Sequence, residues 1–483
     1  MRAMLDLLRL TVDRAAGRCA YAEARHVHHR AESLAVHDEL VDAVDAEESE
    51  GLGIRVLVGG AWGFAATRDV SAAGAEAALV RALAVAEAQP AAGARPLAPV
   101  TPQTGHWDGP CDLDPFALSL EERLEHLFAA VAGMGGDARI ARAQASATMT
   151  RTRKALATSD GTAVTQAFTT CGAGIEATAV GDGELQTRTY PCSHGGTVAG
   201  AGWEHVLGLD LARHAPRVAA EAIELLTAPE CPDGLRTIVL HGEQLALQLH
   251  ESVAHALELD RMLLGEASYA GTSWVTPEDL AGGALRYGSD RLNVSADATL
   301  AGGLGSFGWD DEGVAAARTM LVADGVLRAA LSDRQSAAAI GLERSGGCSR
   351  ADGFARQPIV RMTNVSVEPG DAGSLEDLIA DTDDGLYLES NRSWSIDDRR
   401  WQFQFATEVA REIRGGQLGK LYRNPSYAGI TPRFWGSLDA VCGPEAWALH
   451  GLTNCGKGEP GQIMAVSHGT APARFRDVQV GVA

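Results

Sequence analysis

The sequence has 483 residues, 46% hydrophobic and 22% charged, an ordinary globular composition that excludes a mainly disordered or fibrous chain. At about 150 residues per domain, this length suggests two or three domains. Asp and Glu outnumber Lys and Arg 63 to 41, for a formal charge of −22, so nucleic acid and anionic membrane surfaces are disfavoured partners.

The first 18 residues place Asp6, Arg9 and Asp13 where a signal peptide needs an unbroken apolar stretch, and they read instead as an amphipathic helix. No apolar run approaches the roughly 20 residues that span a bilayer, so a cytoplasmic protein is expected. The eight cysteines (Cys19, Cys111, Cys171, Cys192, Cys231, Cys348, Cys442 and Cys455) are scattered and read as reduced thiols. His26, His28 and His29 are crowded together without a matching Cys or carboxylate pattern and suit a solvated strand. Residues 54–69 hold two β-rich runs around Gly59-Gly60, a hairpin signal. A helix is predicted over about 72–88, then a Pro-rich connector over 90–104. Ser119 with Glu122 makes a capping box for the next helix. Thr-, Ala- and Val-rich text from 146 to 180 turns at Asp160-Gly161, and His194-Gly195-Gly196 reads as a turn. A helix over about 210–226 ends at the turn cluster Pro229–Gly234, where the domain boundary is placed. A strand at 236–240 opens the second half, in which short β-like runs alternate with Gly-rich turns. The predicted fold class is α+β in two domains: residues 1–228, a sheet with helices, and 235–483, mixed and β-rich.

Chemistry concentrates in His250-Glu251-Ser252-Val253-Ala254-His255-Ala256-Leu257-Glu258-Leu259-Asp260. Two imidazoles flank a carboxylate, and a Glu beside a first ligand can take a proton from water at a metal, the logic of HExxH peptidases. Spacing five separates the two histidines by roughly 140° around a regular α-helix. They share one ion only if the helix bends or widens locally, as in a π-bulge. The segment equally suits capped or solvent-facing histidines. A third ligand is available in Leu452-Thr453-Asn454-Cys455-Gly456-Lys457-Gly458, where Lys457 can favour a thiolate. A cysteine in such a loop is more commonly a small buried hydrophobe. Gly302-Gly303-Leu304-Gly305 lacks the strand–helix context of a nucleotide cradle, and Asp310-Asp311-Glu312 resembles an exposed acidic bend.

HESVAHALELD resembles the HExxxHxLExD motif of the TldD/PmbA metallopeptidase family, in its TldD-type branch. The likeness continues in order through the N-terminal pattern at 51–69, Asp310-Asp311-Glu312-Gly313-Val314, Arg361-Met362-Thr363-Asn364 and Asn454-Cys455-Gly456-Lys457, so it covers nearly the whole chain. The resemblance implies that His250, His255 and Cys455 bind zinc, with the fourth position left for water, and that Glu251 is the general base. Glu258 and Asp260 then either orient an imidazole or belong to an exposed helix face. The implied activity is zinc-dependent hydrolysis of unfolded or extended peptides, or trimming of a modified precursor. In that picture residues 1–228 build an assembly and chamber wall, and residues 235–483 form the peptidase domain. The implied partner is a PmbA-like (TldE-type) subunit in a heterodimer, with a homodimer as the alternative. One segment departs from the family: Ser390 to Arg400, with Trp394 inside it, stands where a Gly-rich run is usual. That departure motivates an alternative reading, an amidase acting on a small-molecule conjugate. A third, a non-catalytic assembly subunit, is opposed by the intact His250, Glu251, His255 and Cys455.

Overall fold

The structure is a computed structural model, described here for residues 2–90, 93, 95–193, 195–266 and 271–481; the expected turn at His194 lies outside them. Helix α1 (Arg2–Ala15) precedes three strands, β1 (Tyr21–His37), β2 (Leu40–Val58) and β3 (Ala61–Thr67), and then α2 (Ala72–Glu87). Strand β4 (Thr104–Asp108), α3 (Leu120–Ala132), β5 (Ile140–Thr158), β6 (Ala163–Gly181), β7 (Glu184–Tyr190) and β8 (Thr197–Ala199) follow, with α4 (Trp203–Gly208) and α5 (Leu211–Leu225) closing this half. The strands form one eight-stranded sheet in the order β3-β2-β1-β5-β6-β4, with β7 and β8 added on β6. The fold is α+β.

Local signals set much of this. Gly59 and Gly60 both have positive φ and join β2 to β3, Asp160-Gly161 turns β5 into β6, and Ser119 and Glu122 form the reciprocal cap of α3. Because strand side chains alternate between faces, one parity faces the helices. Leu52, Ile54, Ala155 and Ala157 pack under α1 and α2; Leu34, Val36, Ala145 and Met149 pack under α3 to α5. The other parity, with Val27, Thr150, Lys154 and Phe168, lines a cavity of about 1140 Å³ against the C-terminal half. The His26, His28 and His29 segment lies on β1, as expected for a strand, but carboxylates do accompany it. His26 Nε2 pairs with Glu50 at 2.8 Å and His28 Nε2 with Glu48 at 2.7 Å across the β1–β2 ladder.

In the second half β9 (Gly234–Leu240) lies between Asp384–Ile396 and Ala473–Val480. Those strands continue through Ser426–Ile430 and Gln402–Arg414 back to Asp384–Ile396, so the five strands close into a ring. Closure removes the open edges that would otherwise need covering. Helix α6 (Gly242–Leu249) leaves β9 and is buried along all 8 residues, packed with Tyr427, Phe405 and Trp435 in the largest core cluster. A separate hairpin, Ala448–Lys457 with Gln462–Thr470, lies alongside.

Asp310, Asp311 and Glu312 are not an exposed bend. All three are buried and tie the two halves together. Arg55 on β2 reaches Glu312 at 2.7 Å and Glu23 at 3.0 Å, Lys154 on β5 reaches Asp311 at 3.1 Å, and Asp310 accepts the Glu312, Val314 and Ser349 amides. Replacing Glu312 with Ala leaves a buried guanidinium with one of its two carboxylate partners. The expected cost is about 3 kcal/mol, the low end for a broken buried pair because Glu23 remains. Urea unfolding checks this, and an unchanged midpoint contradicts it.

Candidate metal centre

Three elements meet at one buried point. The first is the chain that continues α6. Residues His250–Ala254 form a π turn, closed by the His255 N–H donating to the His250 carbonyl five residues back, and His255–Leu257 is a 3₁₀ turn. That i to i+5 bond stacks the two histidines on one side, with ring centroids 4.6 Å apart and planes at 82°. The widening that spacing five demands is therefore present. Trp435 Nε1 and Tyr287 Oη brace the turn, donating to the Ser252 hydroxyl at 2.9 Å and the Ser252 carbonyl at 2.6 Å.

The second element, the Ala448–Thr470 hairpin, brings Cys455. Its Sγ lies 3.6 Å from His255 Nε2, and one donor atom each of His250, His255 and Cys455 lies within 4.8 Å of the others. Among the described residues this is the one such trio. Zn–S near 2.3 Å and Zn–N near 2.0–2.1 Å at a tetrahedral angle predict about 3.5 Å between sulfur and nitrogen, so the Cys455–His255 spacing fits zinc. Burial alone would raise the Cys455 thiol, but His255 and Arg361 hold it below its ordinary value, toward thiolate.

The protons are ordered to match. His468 Nδ1 contacts the Val365 carbonyl at 2.7 Å, and a carbonyl only accepts, so that nitrogen carries the proton. Its Nε2 then accepts from His250 Nδ1 at 2.8 Å, leaving the His250 Nε2 lone pair for a metal. Burial pulls the His250 pKa down to about 4 and keeps the imidazole neutral. His255 Nδ1 donates to Glu258 at 3.0 Å, which turns its Nε2 toward Cys455. Outer partners of this kind fix ring orientation and tautomer.

Glu258 is thus placed against an imidazole and is fully buried, so the exposed-face alternative does not describe it. Among the described residues no hydrogen bond or ion pair links Asp260 to a histidine; it holds Lys457 Nζ at 2.7 Å. Lys457 also lies 3.3 Å from Glu258, so it is paired with both carboxylates. Buried carboxylates demand a counter-charge, and this lysine supplies it.

The third element is the Asp384–Arg414 hairpin, which carries the departing segment. Trp394 Nε1 donates to Glu251 Oε1 at 2.9 Å and Arg400 Nη1 to Glu251 Oε2 at 2.8 Å. Burial raises the Glu251 carboxyl, but the neighbouring His250, His255 and Arg400, together with Trp394, carry it below its usual range. It is ionised at neutral pH. Sequence reasoning flagged this segment without assigning its residues, and it missed His468 entirely; neither has a spacing signal, because both act across distant strands. A cleft of about 530 Å³ opens beside the centre, with Trp394 and Asn454, the neighbour of Cys455, in its wall.

Comparison with known proteins agrees along the chain. Models of the PmbA/TldA metallopeptidases match residues 22–87 (domain 1), 113–228 (central domain) and 233–481 (C-terminal domain). A metalloprotease of Methanothermobacter thermautotrophicus is 29% identical over 469 residues, 96% of each chain. A zinc metalloprotease TldD homolog of Saccharolobus solfataricus is 24% identical over 245 residues, 50% of this chain and 51% of that one. The crystal structure of TldE from Thermococcus kodakarensis shares the fold, with a TM-score of 0.77 at 15% identity, covering 99% of this chain and 100% of that one. Among the described residues no helix is long and apolar enough to cross a membrane. With family models spanning both halves and the motif residues gathered at one centre, the chain belongs to the PmbA/TldD family of metallopeptidases.

Proposed function

We propose that this chain is a zinc-dependent peptidase that hydrolyses unfolded or extended peptides, or trims a modified precursor. The observation that carries the reading is the buried trio His250, His255 and Cys455, with both imidazoles held in the tautomer that frees Nε2, beside an ionised Glu251. Zinc bound there would supply a Lewis acid that polarises the scissile carbonyl and acidifies the attacking water. Glu251 takes the proton from that water and returns it to the leaving amine. A carboxylate offers about four lone-pair sites, so its bonds to Trp394 and Arg400 still leave each oxygen able to accept. Those two bonds fix the carboxylate plane.

Two features support an assembly with a PmbA-like subunit. The chain shares its fold with a TldE, and among the described residues Leu40 to Glu50 of β2 pairs only with β1 and exposes Leu40, Val41 and Val44. Such an open edge, acidic along most of its length with Leu40, Val41 and Val44 exposed at one end, is free to pair with another chain. A second reading, an amidase on a small-molecule conjugate, is favoured by the bulky Trp394 held against Glu251, inside the segment where the family resemblance implies a Gly-rich run. The deciding experiment incubates the zinc-loaded protein, with and without a co-expressed PmbA-like subunit, with a library of unstructured peptides. Mass spectrometry should find new peptide termini, abolished by a chelator. Intact peptides in every arm reject the peptidase reading, and unchanged size and activity on adding the subunit reject the heterodimer.

A further inference from the structure

A second polar cluster faces the 530 Å³ cleft, apart from the metal centre. Three of its buried atoms have no hydrogen-bond partner among the described residues: Glu243 Oε1 in the first turn of α6, Asn391 Oδ1 on Asp384–Ile396, and His450 Nε2 on Ala448–Lys457. All three residues line the cleft beside the start of α6. Asn391 Nδ2 donates to Gln244 Oε1 at 3.4 Å, next to Glu243, and a Cβ on Gly242 would lie 3.0 Å from His450 Nε2. Asn391 Nδ2 also faces the Ser393 and Ala406 carbonyls, so its Oδ1 points the other way as an acceptor.

The charges around Glu243 do not balance. Burial, with Glu408 close by, pushes its carboxyl up to about 8, and the Ser390 amide opposes this only in part. The neighbouring cation, Arg188, is already committed to Glu221 at 3.0 Å and Glu408 at 2.7 Å, and lies 3.7 Å from Glu389. Burial and His241 take the His450 pKa down to about 3, so its ring is neutral and adds no charge. A buried polar atom left unpaired is destabilising, and three at one cleft wall form a consistent demand. With Glu243 ionised by pairing with a cation and the His450 proton on Nδ1, all three atoms accept, and one group with three donors, no acceptor and a positive charge answers them. A primary ammonium is such a group.

We propose that Glu243, Asn391 and His450 form a subsite for a primary ammonium of the substrate, either a peptide α-amine or a Lys ε-amine. The proposal rests on the peptidase reading for what carries the ammonium. Glu243 and His250 stand seven positions apart on the chain, about 10 Å along a helix, which is the reach of about three extended residues. The subsite therefore selects for positive charge a few residues from the scissile bond.

The test measures binding of paired peptides to the zinc-loaded Glu251→Gln protein by calorimetry. One pair is penta-alanine amide and its N-acetyl form; the other is N-acetyl Ala-Ala-Lys-Ala-Ala amide and its norleucine analogue. The ammonium member of at least one pair should bind at least about tenfold tighter, as expected of charge-assisted hydrogen bonds, and the preferred pair identifies the source. The preference should disappear in the Glu243→Gln, Glu251→Gln double variant. Equal binding within both pairs, no binding at all, or a preference that survives Glu243→Gln overturns the proposal. So does a second equivalent of zinc that Glu243→Gln removes, since the cluster would then be a metal site. Cleavage by the unsubstituted protein is read separately. Ammonium preference without cleavage rejects the peptidase reading alone, and cleavage without preference rejects the subsite alone.

Discussion

Glu251→Gln should leave zinc bound and lower peptide hydrolysis by at least about 10²-fold, the usual size of a general-base contribution. The carboxamide keeps the shape of the side chain and can still accept from Trp394, but it has no basic oxygen to take a proton. Because Glu251 lies on the π turn between the two histidines' backbones and points at Trp394 and Arg400, its replacement need not disturb the Nε2 atoms. Metal analysis and rate are measured on the same preparation, with the thermal midpoint as a control for folding. Loss of zinc in parallel with activity would make Glu251 a ligand or a structural residue.

Cys455→Ser should empty the centre. A neutral hydroxyl is a poor replacement for a thiolate, and it also discards the negative charge that His255 and Arg361 stabilise at this position. Zinc content after dialysis should fall to a small fraction of one equivalent, and activity with it. His468→Ala should be milder, weakening zinc by about 10- to 100-fold as the loss of an outer partner does, because the His250 tautomer is no longer imposed. Competition with a chromophoric chelator ranks the two variants. Full occupancy in Cys455→Ser would remove that residue from the site.

The parts of the fold legible in the sequence are those with short-range causes. The Gly59-Gly60 and Asp160-Gly161 turns, the Ser119 cap and the ends of α2 and α5 depend on a few adjacent residues, and they stand within a residue or two of expectation. The first half of β2 carried no such signal: Leu40 to Glu50 is acidic and exposed, and it is a strand because β1 pairs with it. At the site, the spacing of the histidines already required a widened helix if they were to share an ion. Whether Cys455 joined them could not be read from a separation of 200 residues, and only family likeness suggested it. Asp310 to Glu312 looked solvated because nothing local reveals that Arg55 and Lys154 arrive from the other half of the chain.

The π turn also explains why the motif has five steps between its histidines and not four. Deleting one residue from Ser252 to Ala254 would let the turn close to ordinary α geometry and would still leave both imidazoles on one face. It would also nearly keep the phase of everything after His255, because a π turn takes up its extra residue within a single turn. What it would not preserve is the inside of the turn, where Tyr287 and Trp435 hold the Ser252 carbonyl and hydroxyl. The extra residue thus serves the placement of Ser252 against its two braces and leaves the direction of the downstream chain unchanged. Tolerance at 252–254 is a matter of chain length as much as of side-chain identity, and a substitution scan there would underestimate how tightly the segment is constrained.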